Sequence, residues 1–477
     1  MENFAKLTEE ISGLLWGWPL IALLVGTHIY LTIRLHFPQR HIITAIKLTF
    51  KKDKSKSGDI SAFRALATAL AATIGTGNLV GVGTAIALGG PGAVFWCWLT
   101  GLLGMATKYG EGLLAVKFRV RTSNGEMLGG PMYALERGLG MKWLAILFCI
   151  FTAIATFGIG NMVQANAVAD LMKADFGIAT WKTGAITTVL VGSVMLGGVK
   201  SISRACGLIV PFMAVFYIIG CIYIIICNHA YLTSAIDLII TSAIDPSAAG
   251  AGFTGGMLIN TIRYGVSRGL FSNESGMGSA PIVAAAAKAK NPVRQALVSM
   301  TGTFWDTVII CAMTGIVIVS CMIAHPEIEF KAGTAMMRSV FGTIPVVGPT
   351  VLTIGLFTFA FSTLLGWSYY GEKAIEYLGG KKWITSYRVV FVIAILIGSI
   401  LSLSAVWNIA DCMNALMAIP NLISLLLLSN VLVKETRKYL WDKNGLNKWD
   451  KSEITIEQLA KERRLKKKMK QRHHNRW

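Results

Sequence analysis

The sequence predicts an all-α polytopic membrane protein of eleven transmembrane helices: one extra N-terminal helix, then a five-plus-five inverted repeat with two broken helices. Three observations predict it. Of 477 residues, 54% are hydrophobic and only 15% charged, against roughly 25% charged in ordinary soluble chains, so the excess apolar surface requires lipid as its solvent. Lys and Arg fall almost entirely on alternate inter-span segments. Two spans, five helices apart, carry glycines and polar residues where membrane depth should forbid them.

A helix needs roughly 20 apolar residues to cross the hydrocarbon layer. Such stretches place spans at 14–36, 62–89, 92–116, 143–172, 183–199, 205–227, 252–287, 295–323, 347–378, 386–404 and 410–433. The start carries Glu2, Glu9 and Glu10 with only Lys6, the wrong charge for a secretory signal, so the first span is kept as a membrane helix. With the segments after odd-numbered spans on one side, that side holds 36 of the 45 Lys and Arg; the other has Lys6, Lys173, Lys182, Lys331 and Arg338. The positive-inside rule then puts the amino terminus outside and the carboxyl terminus in the cytoplasm of a multi-pass cell-membrane protein. The net charge of +20 therefore belongs to cytoplasmic loops, not to a nucleic-acid surface. The tail with Lys466, Lys467 and Lys468 reads as a solvated end near anionic lipid. Eight cysteines without CxxC spacing read as small core residues, and seven histidines form no cluster, so no cofactor is expected.

The first break is Ala71-Ala72-Thr73-Ile74-Gly75-Thr76-Gly77-Asn78 in the second span. Glycine weakens a helix and frees backbone groups that a bilayer tolerates only against protein, water or ligand. Close packing through Gly77 and Gly81 is the plainer reading, but Thr73, Thr76 and Asn78 add side-chain oxygens that packing does not need. The second break runs from Gly265 to Pro281 in the seventh span, with four glycines, Arg268 and Glu274. A discontinuous helix fits it; a cytoplasmic loop between two short helices would spoil the charge bias.

With the first helix set aside, each group of five opens on a broken helix, and five being odd, the second group crosses inverted. That is the layout of a secondary transporter whose half-helix ends meet at the midplane. It divides the chain into 1–60 (extracellular N-terminus, extra helix and basic linker), repeats at 61–230 and 231–433, and a basic cytoplasmic tail at 434–477.

At these residues the chain resembles the alanine or glycine:cation symporter family of the amino acid-polyamine-cation superfamily, with its leucine-transporter-type fold. The resemblance is carried by ATIGTGNLVGV (72–82), LGGPGAVFWCW (88–98), FGIGNMVQANAVAD (157–170), RGLFSNESGMGSAP (268–281), NPVRQALVSMTGTFWDT (291–307), FAFSTLLGWSYYGEK (359–373) and WNIADCMNALMAIPNL (407–422). It implies import of alanine or glycine with sodium as coupling ion, by alternating access, through a single chain. Amides at Gly75, Thr76, Gly77 and Asn78 would hold the substrate carboxylate, since a helix amino end carries partial positive charge. Carbonyls of Ala71 and Ile74, beside Thr73, would face sodium, with Ser362 and Thr363 completing the site as hard oxygen ligands; a Ser/Thr pair bonded back to its own helix is the alternative.

Asn161 and Gln164, three residues apart, are expected on one face, where their amides meet either a zwitterionic substrate or another helix. Phe271, Asn273, Met277 and Trp367 are candidates to close the pocket, against ordinary packing. Arg268 is expected to be paired; Glu274 and Asp306 stay open between structural pairing and carrying a cation or proton. Lys108 and Glu111 read as a local pair near the cytoplasmic end of their helix. Glutamine or D-amino acids as substrate, and protons as coupling ion, are the nearest alternatives. An enzyme is disfavoured because no HExxH or histidine cluster appears, and a channel because two different broken helices share one chain.

Overall fold

The computed structural model describes residues 2–51, 53, 57–245, 258–328, 333–401, 404–450, 454–459 and 461. It is a mostly helical, multi-pass membrane protein. Among the described residues six helices are long and apolar enough to cross a membrane, and two bent helix pairs bring the number to eight. The start of the expected seventh span (252–257) and the lysine run of the tail lie outside the described residues.

Helix bounds follow the apolar runs, and departures have local causes. The first span starts at Trp18 rather than residue 14, because Gly17 is extended and Pro19 opens a new helix, Trp18–Arg34. Glu2–Leu15 is a separate helix packed against Ser404–Leu427. The segment expected to link the sixth and seventh spans contains His229–Ile244, an apolar helix of 16 residues, too short to cross on its own. The second span is broken as expected: Ala62–Thr73 and Gly77–Gly89 meet at 52°. The seventh is more unequal than expected. Leu258–Asn273 ends at Glu274, whose φ is +53°, Gly276 and Gly278 follow at +91° and +85°, and only the short helix Pro281–Ala284 resumes.

The half-helix Ala62–Thr73 lies between Gly198–Cys227 and Val347–Gly379, and Ala93–Lys117 packs along both Leu258–Asn273 and Pro292–Thr303. Both breaks are thereby enclosed by full-length helices, which lets unsatisfied backbone exist at that depth. Three spans also contain π-helical turns, Gly77–Gly81, Gly158–Met162 and Phe304–Cys311, and these carry the buried polar side chains Asn78, Asn161 and Asp306.

On one end the chain segment after the last span is stitched to the loops. Ile454–Thr455 pairs in parallel with Val120–Arg121, itself antiparallel to Met127–Leu128. Buried Asn291 caps Pro292–Thr303 by accepting from Arg294 N at 3.1 Å, and its Nδ2 donates to the Leu446 and Lys448 carbonyls at 3.1 and 2.9 Å. Asn291→Ala is therefore expected to cost about 2 kcal/mol, one cap plus its tail bonds, read as a lowered thermal midpoint in detergent; Asn291→Asp, which keeps the cap, should lose less.

Candidate functional site

At the first break the helix stops at Thr73 because Gly75 and Gly77 no longer favour it, and the freed amides turn to side chains. Gly75 N donates to Asn78 Oδ1 at 2.8 Å and Thr76 N to Gln164 Oε1 at 3.3 Å. Asn78 Nδ2 in turn donates to Asp306 Oδ1 at 2.7 Å. The Asp306 carboxylate also accepts from Ser272 Oγ at 3.0 Å and Thr307 Oγ1 at 2.6 Å. Fully buried Asp306 thus joins the first break, through Asn78, to the second, through Ser272. The breaks also touch directly: a Cβ on Gly77 would lie 3.1 Å from Phe271 Cδ1.

Beside the first break, two hydroxyls of Val347–Gly379 approach its carbonyls. Ser362 Oγ lies 3.4 Å from Ala71 O, and Thr363 Oγ1 3.3 Å from Ile74 O. Each hydroxyl also lies 2.9 Å from Phe359 O of its own helix, the bonding-back alternative, with the carbonyls of the break still within reach. A hydroxyl has one proton. With it on Phe359, the approach to Ala71 and Ile74 sets lone pair against lone pair, an arrangement a hard cation between the oxygens relieves. Thr73 bonds its own helix, at 3.3 Å to Ala69 O.

Asn161 and Gln164, expected on one face, take different partners. Gln164 reaches Thr76, whereas Asn161 Nδ2 donates to Phe391 O at 2.7 Å. Asn161 lies within the π turn Gly158–Met162, which changes the angle between the two side chains from that of a regular helix. Trp367 is fully buried and wedged against Gly160, where a Cβ would stand 2.3 Å from Trp367 Cβ. Gly160→Ala is accordingly expected to destabilise the protein by about 1–3 kcal/mol, checked by thermal denaturation, with a weakened ligand affinity if Trp367 is displaced into the site. Met277 is fully buried in the second break, and Asn273 Oδ1 accepts from Ser275 N at 2.9 Å. Thr76 Oγ1, Asn161 Oδ1, Asn273 Nδ2 and Trp367 Nε1 are buried without a hydrogen-bond partner among the described residues.

A cavity of about 370 Å³ opens from Thr76 and Gly77, walled by Phe271, Trp407, Arg268 and Asp411. Phe271 stacks on Trp407, ring centroids 6.3 Å apart, with the Arg268 guanidinium 5.9 Å from its ring. Arg268 pairs with Asp411 at 3.9 Å, as its position demands. Trp407 and Asp411 stand in the quoted WNIAD stretch, but nothing in their spacing links them to the second break. On the far side of the break, among Thr73, Lys108, Pro281 and Gln295, there is only about 10 Å³.

Known proteins share both sequence and fold with this chain. The model described as the sodium:alanine symporter family matches residues 1–452. The Sodium/alanine symporter AgcS of Methanococcus maripaludis is 52% identical over 446 residues, 92% of this chain and 97% of that one. An uncharacterized transporter of Haemophilus influenzae is 51% identical over 454 residues, covering 94% and 99%. The Probable sodium/glutamine symporter GlnT of Bacillus subtilis is 36% identical, covering 92% of each. Among solved structures, MhsT in complex with L-phenylalanine superposes with a TM-score of 0.54 at 13% identity, over 80% of this chain and 98% of that one, a likeness of fold.

Proposed function

This chain belongs to the sodium:alanine symporter family, and we propose accordingly that it imports alanine or glycine together with sodium by alternating access. It is a transporter, not an enzyme. The observation that carries the coupling is the set of four oxygens, Ala71 O, Ile74 O, Ser362 Oγ and Thr363 Oγ1, gathered between the first break and Val347–Gly379. All are hard, neutral donors of the kind a sodium ion takes.

The amino acid sits between the breaks in this reading. Its carboxylate meets the backbone at Gly75, Thr76 and Gly77, where Asn78 and Gln164 now occupy two amides. Thr73 flanks the ion. The unpaired polar atoms of Thr76, Asn161, Asn273 and Trp367 are groups a zwitterion could serve, while Phe271, Met277 and Trp367 bound a short side chain. Eleven crossings, an extra helix, inverted repeats at 61–230 and 231–433, an outside N-terminus, and a cytoplasmic tail near anionic lipid in the cell membrane complete the proposal. It is supported by the alternating Lys and Arg distribution. In that orientation the wide cavity faces outward and the narrow side inward, a conformation ready to load.

The test is uptake of labelled alanine into liposomes holding the purified chain, with an inward sodium or potassium gradient. Sodium-dependent uptake, competed by glycine, is expected. Equal uptake in the two salts refutes coupling; no uptake of alanine or glycine, with uptake of glutamine, refutes the substrate.

A further inference from the structure

We infer that Lys108 and Glu111 are positioning residues that hold the second break in its unwound shape, a role resting on the transport reading above. Between Asn273 and Pro281 the backbone leaves the helix, with φ of +53° at Glu274, +91° at Gly276 and +85° at Gly278. Its freed groups must find partners elsewhere. Three of them find partners on Ala93–Lys117 and a fourth on Ser404–Leu427. Lys108 Nζ donates to Glu274 O at 3.1 Å. Glu111 Oε1 accepts from Gly276 N and Gly278 N, each at 3.0 Å, and from Asn421 Nδ2 at 2.7 Å. Asn421 Nδ2 also donates to Gly276 O at 2.8 Å.

The two charges face each other at 3.7 Å across one turn of Ala93–Lys117, both buried. Their order matches the electrostatics of a broken helix. The cation stands at the carbonyl end of Leu258–Asn273, and the anion meets the amides that lead into Pro281–Ala284. Side-chain charges thus replace the hydrogen bonds a continuous helix would have made, and charge-assisted bonds to backbone are the stronger kind. The Glu274 carboxylate is not free to do this, since Ser279 Oγ donates to it within the break. Asn273 and Met277, two candidate substrate contacts, lie on the anchored stretch. Lys108 and Glu111 act on them through the backbone.

The experiment compares wild type with Glu111→Gln and Lys108→Met in the full chain in liposomes. Three quantities are read: hydrogen exchange across 274–280, alanine affinity at saturating sodium, and sodium affinity without alanine. For Glu111→Gln we expect exchange to rise and alanine affinity to fall, each roughly tenfold, while sodium affinity stays within about threefold, because its oxygens lie on the other break. Lys108→Met should show the same split. General loss of structure would lower both affinities together, which overturns the inference. So does exchange within twofold of wild type. Should Glu111→Gln not fold, Asn421→Ala decides by the same measure: faster exchange across 274–280 supports the anchor and unchanged exchange overturns it. Exchange needs no ligand, so failure of wild type to bind alanine with sodium would refute the transport reading while the anchor is still decided.

Discussion

Gly75→Ala is expected to abolish most sodium-driven alanine uptake while leaving the protein folded. The added Cβ would stand 2.6 Å from Thr363 Oγ1 and 3.3 Å from Gln164 Oε1. The first distance is below any ordinary contact, so the break or Val347–Gly379 must move. Forced overpacking costs about 1–3 kcal/mol, which at roughly 1.4 kcal/mol per tenfold is a loss of about 10- to 100-fold in affinity if the strain falls on the site. It does fall there: Thr363 is a proposed ion ligand and Gln164 is bonded to Thr76 N. The measurement is uptake against alanine and sodium concentration, with monodispersity in detergent as the folding control. Gly81→Ala, where an added Cβ meets nothing within 4 Å, should transport normally. Equal behaviour of the two variants would show that the close approach at Gly75 has no functional weight.

Removing both hydroxyls, Ser362→Ala with Thr363→Ala, should cost the most in sodium dependence. Each hydroxyl that contacts a charged partner contributes about 1.5–3 kcal/mol, so the pair together represents at least about a 100-fold rise in half-saturating sodium. Thr363→Ser keeps the oxygen and should stay close to wild type. Half-saturating sodium unchanged in the double variant would mean that the hydroxyls serve only Phe359 O of their own helix, the alternative their 2.9 Å contacts allow.

Much of the architecture was legible in the chain because lipid imposes simple demands. Apolar runs had to be helices, and the break at Thr73–Gly77 followed from glycines beside side-chain oxygens; the structure bends there by 52°. The Ser362–Thr363 pair was legible through its motif, though not that each hydroxyl would reach two helices at once. Local helical spacing did not show which partners Asn161 and Gln164 take, nor the π turn at Gly158–Met162, which is invisible to a period of 3.6. It also undervalued Lys108 and Glu111. Their i,i+3 spacing identified a pair correctly, but nothing near them in sequence announced that Gly276 and Gly278, more than 160 residues away, would supply the bonds.

Asp306 draws the line between the two kinds of knowledge. From sequence alone it was a carboxylate in an apolar span, open to pairing, cation or proton. The sequence by itself determined that such a group needed a pair, a cation or a proton, since hydrocarbon does not solvate a bare charge, and that two of the spans had to be interrupted at their glycines. Only the tertiary structure decided the partners, Asn78 of one break and Ser272 of the other. Hydrogen bonds act over about 3 Å, and which side chains come that close depends on how separate helices pack.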